Sequence, residues 1–146
     1  MSAEHTPILK VVKLYPDAIV PSYANPGDAG FDLYSMEDGI IGPGRKRVIP
    51  LGIAVEIPRD WCIQLTGKSG LSASYGIDIL GGLIDSGYRG ELKAILLNTG
   101  EERFKYEKGS KVTQGVLYYS PQAEIIEVQS LGDSIRGKKG FGSSGK

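Results

Sequence analysis

Histidine and cysteine are almost missing from this 146-residue chain, which has His5 and Cys62 and no other of either kind. One thiol rules out an internal disulfide and a cysteine-rich zinc site, and suits a reducing compartment. His5 sits in the polar start "MSAEHTP". An isolated imidazole there lacks the partners of a triad or a metal site and reads as a surface histidine, so Ser–His–Asp and Cys–His catalysis are excluded. Net charge is also missing, with 17 Lys+Arg against 17 Asp+Glu. A polyanion must therefore meet a local cluster and not a general field, and a nucleic-acid-coating role is not expected. No apolar run approaches the ~20 residues that span a bilayer, and the start has neither a basic n-region nor an apolar h-region. These absences predict a soluble, intracellular protein, cytoplasmic or nuclear, with no membrane partner.

What is abundant is glycine, 21 residues spread between short apolar runs, about twice the usual ~7%. Runs at 8–14, 47–57, 61–66, 91–98, 111–120 and 123–129 are strand-length and rich in β-branched and aromatic residues. No window of helical length carries a stripe. The pattern predicts an all-β fold, a sandwich, jelly roll or distorted barrel, with one short helix at "SGLSASYG" (69–76). Ser69 is the expected N-cap and Gly76 the expected stop. After Gln129 the β-pattern ends, so 1–130 is expected to form the body and 131–146 an arm. The length suffices to bury about 68–70% of the unfolded surface without a staple.

Five stretches could carry chemistry. In "NPGDAGFDLYS" (25–35), Asp32 lies between Phe31 and Leu33. It is therefore within a strand and needs a partner, a hydrated Mg²⁺ being one option. In "TGKSGLSASYG" (66–76), a lysine, a hydroxyl and a glycine enter a helix start, which suits phosphate, although a plain capped turn has the same letters. "GIDILGGLIDSGYRGEL" (76–92) reads as strand, tight turn and strand, with Gly81-Gly82 allowing close approach to a flat ligand. Asp85 there is either a general base or a turn-former. Gln114 is a lone amide in an apolar strand, read equally as a packed surface glutamine. Last, "RGKKGFGSSGK" (136–146) formally contains GxxxxGK. No strand signal precedes it, so a P-loop is excluded, and a plain Gly-Ser linker would not contain Arg136 or Phe141.

In order and together, "AGFDLYS", "GKSGL", "GGLIDSGYRGE", "GSKVTQ" and "RGKKGFGSSG" resemble the five motifs of the trimeric dUTPase family over about residues 25 to 146. The resemblance implies a jelly-roll homotrimer with exchanged C-terminal arms that hydrolyses dUTP to dUMP and pyrophosphate with Mg²⁺. Such an enzyme limits uracil in DNA and supplies dUMP for thymidylate synthesis. It implies Asp85 as the catalytic base and Asp32 as the holder of Mg²⁺ through water. Phosphate contacts would fall to Lys68, Ser69, Gly70, Gln114, Arg136, Gly142, Ser143 and Ser144. Uracil and deoxyribose would meet Gly81, Gly82, Leu83, Ile84, Tyr88 and Phe141, with Tyr88 opposing a 2′-hydroxyl and Phe141 stacking over the base.

The chain departs from the commonest family pattern where Lys68 replaces a planar arginine fork by a point charge, and where Ser86-Gly87 replaces an acidic pair. Ile79 stands where many bacterial members read uracil with asparagine, which implies recognition by backbone alone. Two other readings compete with this one. A dCTP deaminase would need its own catalytic glutamate motif, which is missing. A catalytically silent dUTPase-like trimer serving as a regulatory binding module is opposed by the presence of all five motifs.

Overall fold

A computed structural model describes residues 6–145; His5 therefore lies outside the described residues. Among the described residues eleven strands form four antiparallel sheets and one helix lies between two of the strands, so the all-β expectation with a single short helix holds. The largest sheet orders β2 (Gly30–Tyr34), β11 (Lys111–Tyr119), β6 (Trp61–Thr66) and β8 (Leu83–Ile84). A second holds β4 (Lys46–Pro50), β9 (Lys93–Asn98) and β7 (Ile77–Leu80). Two pairs complete the jelly-roll-like body: β1 (Lys10–Lys13) with β5 (Ile53–Glu56), and β3 (Gly39–Ile41) with β10 (Phe104–Tyr106).

Period-two alternation sets which side chains enter the core. β9 shows it most cleanly: Ala94, Leu96 and Asn98 are buried, while Lys93, Ile95 and Leu97 face outward. Leu33, Ile49, Ile63 and Leu96 meet in one apolar cluster, each contributing about 1.5–3 kcal/mol by leaving water. Asn98 is buried among them and satisfied, its amide donating to the carbonyls of Ile41 (2.8 Å) and Glu102 (2.7 Å). That bond ties β9 to β3.

Several expectations are corrected. The run 47–57 is two strands in two sheets, divided at Gly52, whose φ is +74° and whose absent Cβ would lie 2.4 Å from the Met36 side chain. The strands flanking Gly81-Gly82 are not paired with each other: β7 pairs with β9, and β8 pairs with β6. Two consecutive positive φ values, +63° and +98°, carry the chain from one sheet to the next. The run 123–129 forms no strand, because no edge of its own chain receives it; Ile125 is 96% exposed. The last strand ends at Tyr119, and 120–145 is extended or turned.

The helix α1 spans Ser69–Tyr75 as expected, but Lys68 holds the capping position and no side chain caps it. The Lys68 side chain is directed to Asp32, and a lysine has no acceptor to offer a helix N-terminus. At the other end Gly76 is left-handed (φ +70°), and a Cβ there would lie 2.8 Å from the Gly100 nitrogen.

Candidate active site

A bulge in β11 assembles the first cluster. Lys111 faces Tyr34 and Thr113 faces Leu33, so one residue is inserted between them. Without it, Lys111 and Gln114, three apart, would point to opposite faces of the sheet. With it, both come to the face of Asp32, which lies directly opposite Gln114.

Asp32 is buried, and both of its oxygens are engaged. Oδ1 accepts from Lys68 Nζ at 2.5 Å, and Oδ2 pairs with Lys111 Nζ at 3.0 Å. Burial raises its pKa and the two ammonium groups lower it, with the net result below the ordinary carboxylate range. Lys111 is raised in return by its bond to Asp32.

The Gln114 amide donates to the Gly67 carbonyl at 2.9 Å, which fixes the loop entering α1 and leaves its second N–H without that partner. Gly30 makes room for it, since a Cβ there would lie 2.5 Å from the Gln114 oxygen. Asp32, Lys68, Gln114, Gly30 and Asp28 line one concavity. Ser69 and Gly70 follow Lys68 as the first turn of α1.

The second cluster lies at the opposite edge of the same sheet, on β8 and the turn after it. Gly82, Leu83, Ile84, Asp85 and Tyr88 line a cleft with Leu65 and Glu91; Gly81 immediately precedes it. Its volume is about 190 Å³, below the ~300–1,000 Å³ that encloses a drug-sized ligand, so by itself it can enclose only part of one.

Gly82 is required here: a Cβ would lie 2.9 Å from the Leu65 carbonyl oxygen, whose residue donates its N–H to the Gly82 carbonyl (2.8 Å). The Asp85 carbonyl accepts from the Tyr88 N–H at 3.1 Å, closing a turn braced by Arg89 against the Ser86 carbonyl. The Asp85 side chain is exposed and enters none of the ion pairs among the described residues. Tyr88 is held by its hydroxyl, which donates to the Glu91 carbonyl (3.0 Å) over Gly90, where a Cβ would lie 2.5 Å from that hydroxyl.

These two clusters do not meet within one chain. Asp32 on β2 and Ile84 on β8 occupy opposite edges of a four-stranded sheet, three strand spacings or about 14 Å apart. The third group joins neither. Arg136, Gly142, Ser143 and Ser144 lie in exposed turns, and Phe141 (φ +50°) is fully exposed.

Sequence reasoning missed Lys111, Gly30, Gly90 and Glu91. Lys111 stands inside the quoted "GSKVTQ", but only the bulge turns it toward Asp32.

Among the described residues no three His, Cys, Asp or Glu side chains are grouped to hold a metal. The one buried carboxylate in the first concavity suits a hydrated cation that arrives on a polyphosphate, because Mg²⁺ keeps several waters and uses one or two carboxylates beside substrate oxygens.

A family model described as dUTPase matches residues 16–145. The deoxyuridine 5′-triphosphate nucleotidohydrolase of Clostridioides difficile is 48% identical over 139 residues, covering 94% of this chain and 97% of that protein. Among solved structures, a variant dUTPase of Staphylococcus bacteriophage 80alpha with dUpNHpp superposes with a TM-score of 0.90 at 30% identity, covering 95% of this chain and 99% of that one. A variant dUTPase of phage phi11 of S. aureus, described in connection with the coordination of a structural Mg(II) ion, gives 0.79 at 26% identity, covering 84% and 97%.

Proposed function

This chain belongs to the dUTPase family and hydrolyses dUTP to dUMP and pyrophosphate, and on that premise we propose how its residues share the reaction. Asp85 aligns a water with the α-phosphorus and takes one of its protons as the oxygen attacks. The new P–O bond forms as the bond from the α-phosphorus to the α,β-bridging oxygen breaks, and pyrophosphate leaves with that oxygen. An aspartate is a weak base, with an ordinary pKa of about 3.9, so alignment supplies much of the rate.

Gly81, Gly82, Leu83 and Ile84 present main-chain donors and acceptors to uracil. Cytosine then meets mismatched groups, and a site built on hydrogen bonds can reject such an analogue by about 10⁴–10⁵, against about 10–200 for a methylene alone. Tyr88, fixed by Glu91, packs against the deoxyribose and blocks a 2′-hydroxyl. Phe141 covers the base.

Lys68, the first-turn groups of Ser69 and Gly70, and the second N–H of Gln114 bind phosphate oxygens, joined by Arg136, Gly142, Ser143 and Ser144 from the arm. Asp32 would hold Mg²⁺, and the ion, when bound, would neutralise charge on the triphosphate. Lys68 is shared between the two duties: as it turns toward a phosphate it frees one Asp32 oxygen, while Lys111 keeps the other oriented.

The observation that carries this reading is the division of the site: two incomplete clefts on opposite sheet edges and an arm that touches neither. A homotrimer resolves it. One subunit supplies the Gly82–Tyr88 cleft, a second the Asp32–Lys68–Gln114 concavity, and a third the arm. The apolar side chains of 123–135, exposed on one chain, then find cover on a neighbour.

The test is incubation of the purified protein with each dNTP and UTP plus Mg²⁺. Monophosphate and pyrophosphate are expected from dUTP alone, and retained activity after truncation before Arg136 would contradict the arm's role.

A further inference from the structure

The charges of the two clefts do not suit a polyanion by themselves. In the first, Lys68 and Lys111 are both paired to Asp32, and Asp28 adds a second carboxylate to the lining. Two acids thus stand against two lysines. The second cleft is lined by Asp85 and Glu91 against Lys93. The substrate is a triphosphate, anionic along its length, so any positive charge on the protein beyond what a bound Mg²⁺ would supply comes from outside these two clefts.

The arm carries it. Residues 134–146 include no acid but four bases, Arg136, Lys138, Lys139 and Lys146. The first three belong to a single turn: the Lys139 N–H donates to the Arg136 carbonyl (3.3 Å), and Arg136 Nε donates to the Lys139 carbonyl (2.8 Å). None of the three enters an ion pair among the described residues. The turn is exposed and lies two residues before Phe141.

We propose that Lys138 and Lys139 are positioning residues for the triphosphate: delivered with Arg136 on one turn, their ammonium groups supply the excess positive charge that both clefts lack, drawing the arm onto the loaded site and holding it closed. This rests on the reading of the arm as a lid over a neighbouring site. The contribution is electrostatic and exposed, so it weakens with salt, unlike a contact that depends on shape.

The test is steady-state hydrolysis of dUTP by the full chain from low salt to about 0.3 M KCl, comparing wild type with the double variants Lys138→Gln/Lys139→Gln and Lys138→Arg/Lys139→Arg. At low salt the glutamine pair should raise KM about three- to ten-fold, the range of two exposed charge contacts, with a smaller change in kcat. Its kcat/KM should fall less steeply with salt, meeting wild type at the high end, and the arginine pair should behave as wild type. An unchanged KM and salt dependence in the glutamine pair would overturn the inference. Phe141→Ala separates the two layers. If it loses activity while the glutamine pair does not, the lid stands and the charge role falls; if both are silent, the lid reading falls as well.

Discussion

The two clefts solve opposite problems with opposite materials. The Asp32 concavity is built from long charged and amide side chains, and its geometry is held by bonds between them: Lys68 and Lys111 on one carboxylate, Gln114 on a loop carbonyl. The Gly82 cleft is built from backbone, and its geometry is held by what is left out, namely the Cβ atoms that Gly82 and Gly90 lack. The first can reorganise by exchanging one ion-pair partner for another. The second cannot, because a strand edge and a tight turn fix it. On the proposed roles, a phosphate site that must accept a mobile chain of charges and a base site that must reject near-identical bases call for this contrast.

The comparison breaks most sharply at Asp85. Asp85→Asn keeps the size of the side chain and removes the proposed base, so kcat should fall about 10²–10⁴-fold while dUTP binding, read by calorimetry, persists. Gly82→Ala tests the rigid cleft. With φ at +98° and the Leu65 oxygen 2.9 Å from the new Cβ, a penalty of about 1–2 kcal/mol for a left-handed non-glycine residue predicts a loss of stability of at least that size, read by thermal melts, together with a raised KM as the cleft shifts.

Asp32→Asn tests the adaptable cleft and has a pH signature. Because the native Asp32 pKa is depressed, its stabilising effect is complete above the unfolded carboxylate range and is lost as pH falls through the lower native value. Wild type should exceed the variant by about 1–2 kcal/mol at neutral pH, a value kept low because Lys111 is half exposed. The gap should close as the pH is lowered below about 4, as read by thermal melts. The smallest effect is expected for Gly90→Ala, which displaces the Tyr88 hydroxyl and should reduce the preference for dUTP over UTP by about two- to five-fold, under 1 kcal/mol.

How much of this was legible depended on whether the signal was local. Gly76 as a helix stop, Asp32 as a strand carboxylate in need of a partner, and the strands at 61–66 and 91–98 all follow from side chain and period, and the structure bears them out. What was not legible involves distant residues. The bulge between Lys111 and Thr113 has no glycine to mark it, yet it decides that Lys111 rather than a metal ion alone balances Asp32. The partners of β7 and β8 depend on β9 and β6, which 76–92 cannot reveal. The run 123–129 has a strand's composition and no strand's structure within its own chain, because composition reports what a segment can pair with and not whose edge is offered.

The division of the site between copies is tested most directly by mixing two inactive chains. Asp85→Asn carries an intact Asp32 concavity, and a Lys68→Ala/Gln114→Ala chain carries an intact Gly82 cleft. Co-assembled in equal amounts, they should recover activity on the order of a quarter of wild type if neighbouring subunits contribute one cleft each at random. No recovery in verified mixed trimers would mean that both clefts act within one chain, contrary to this account.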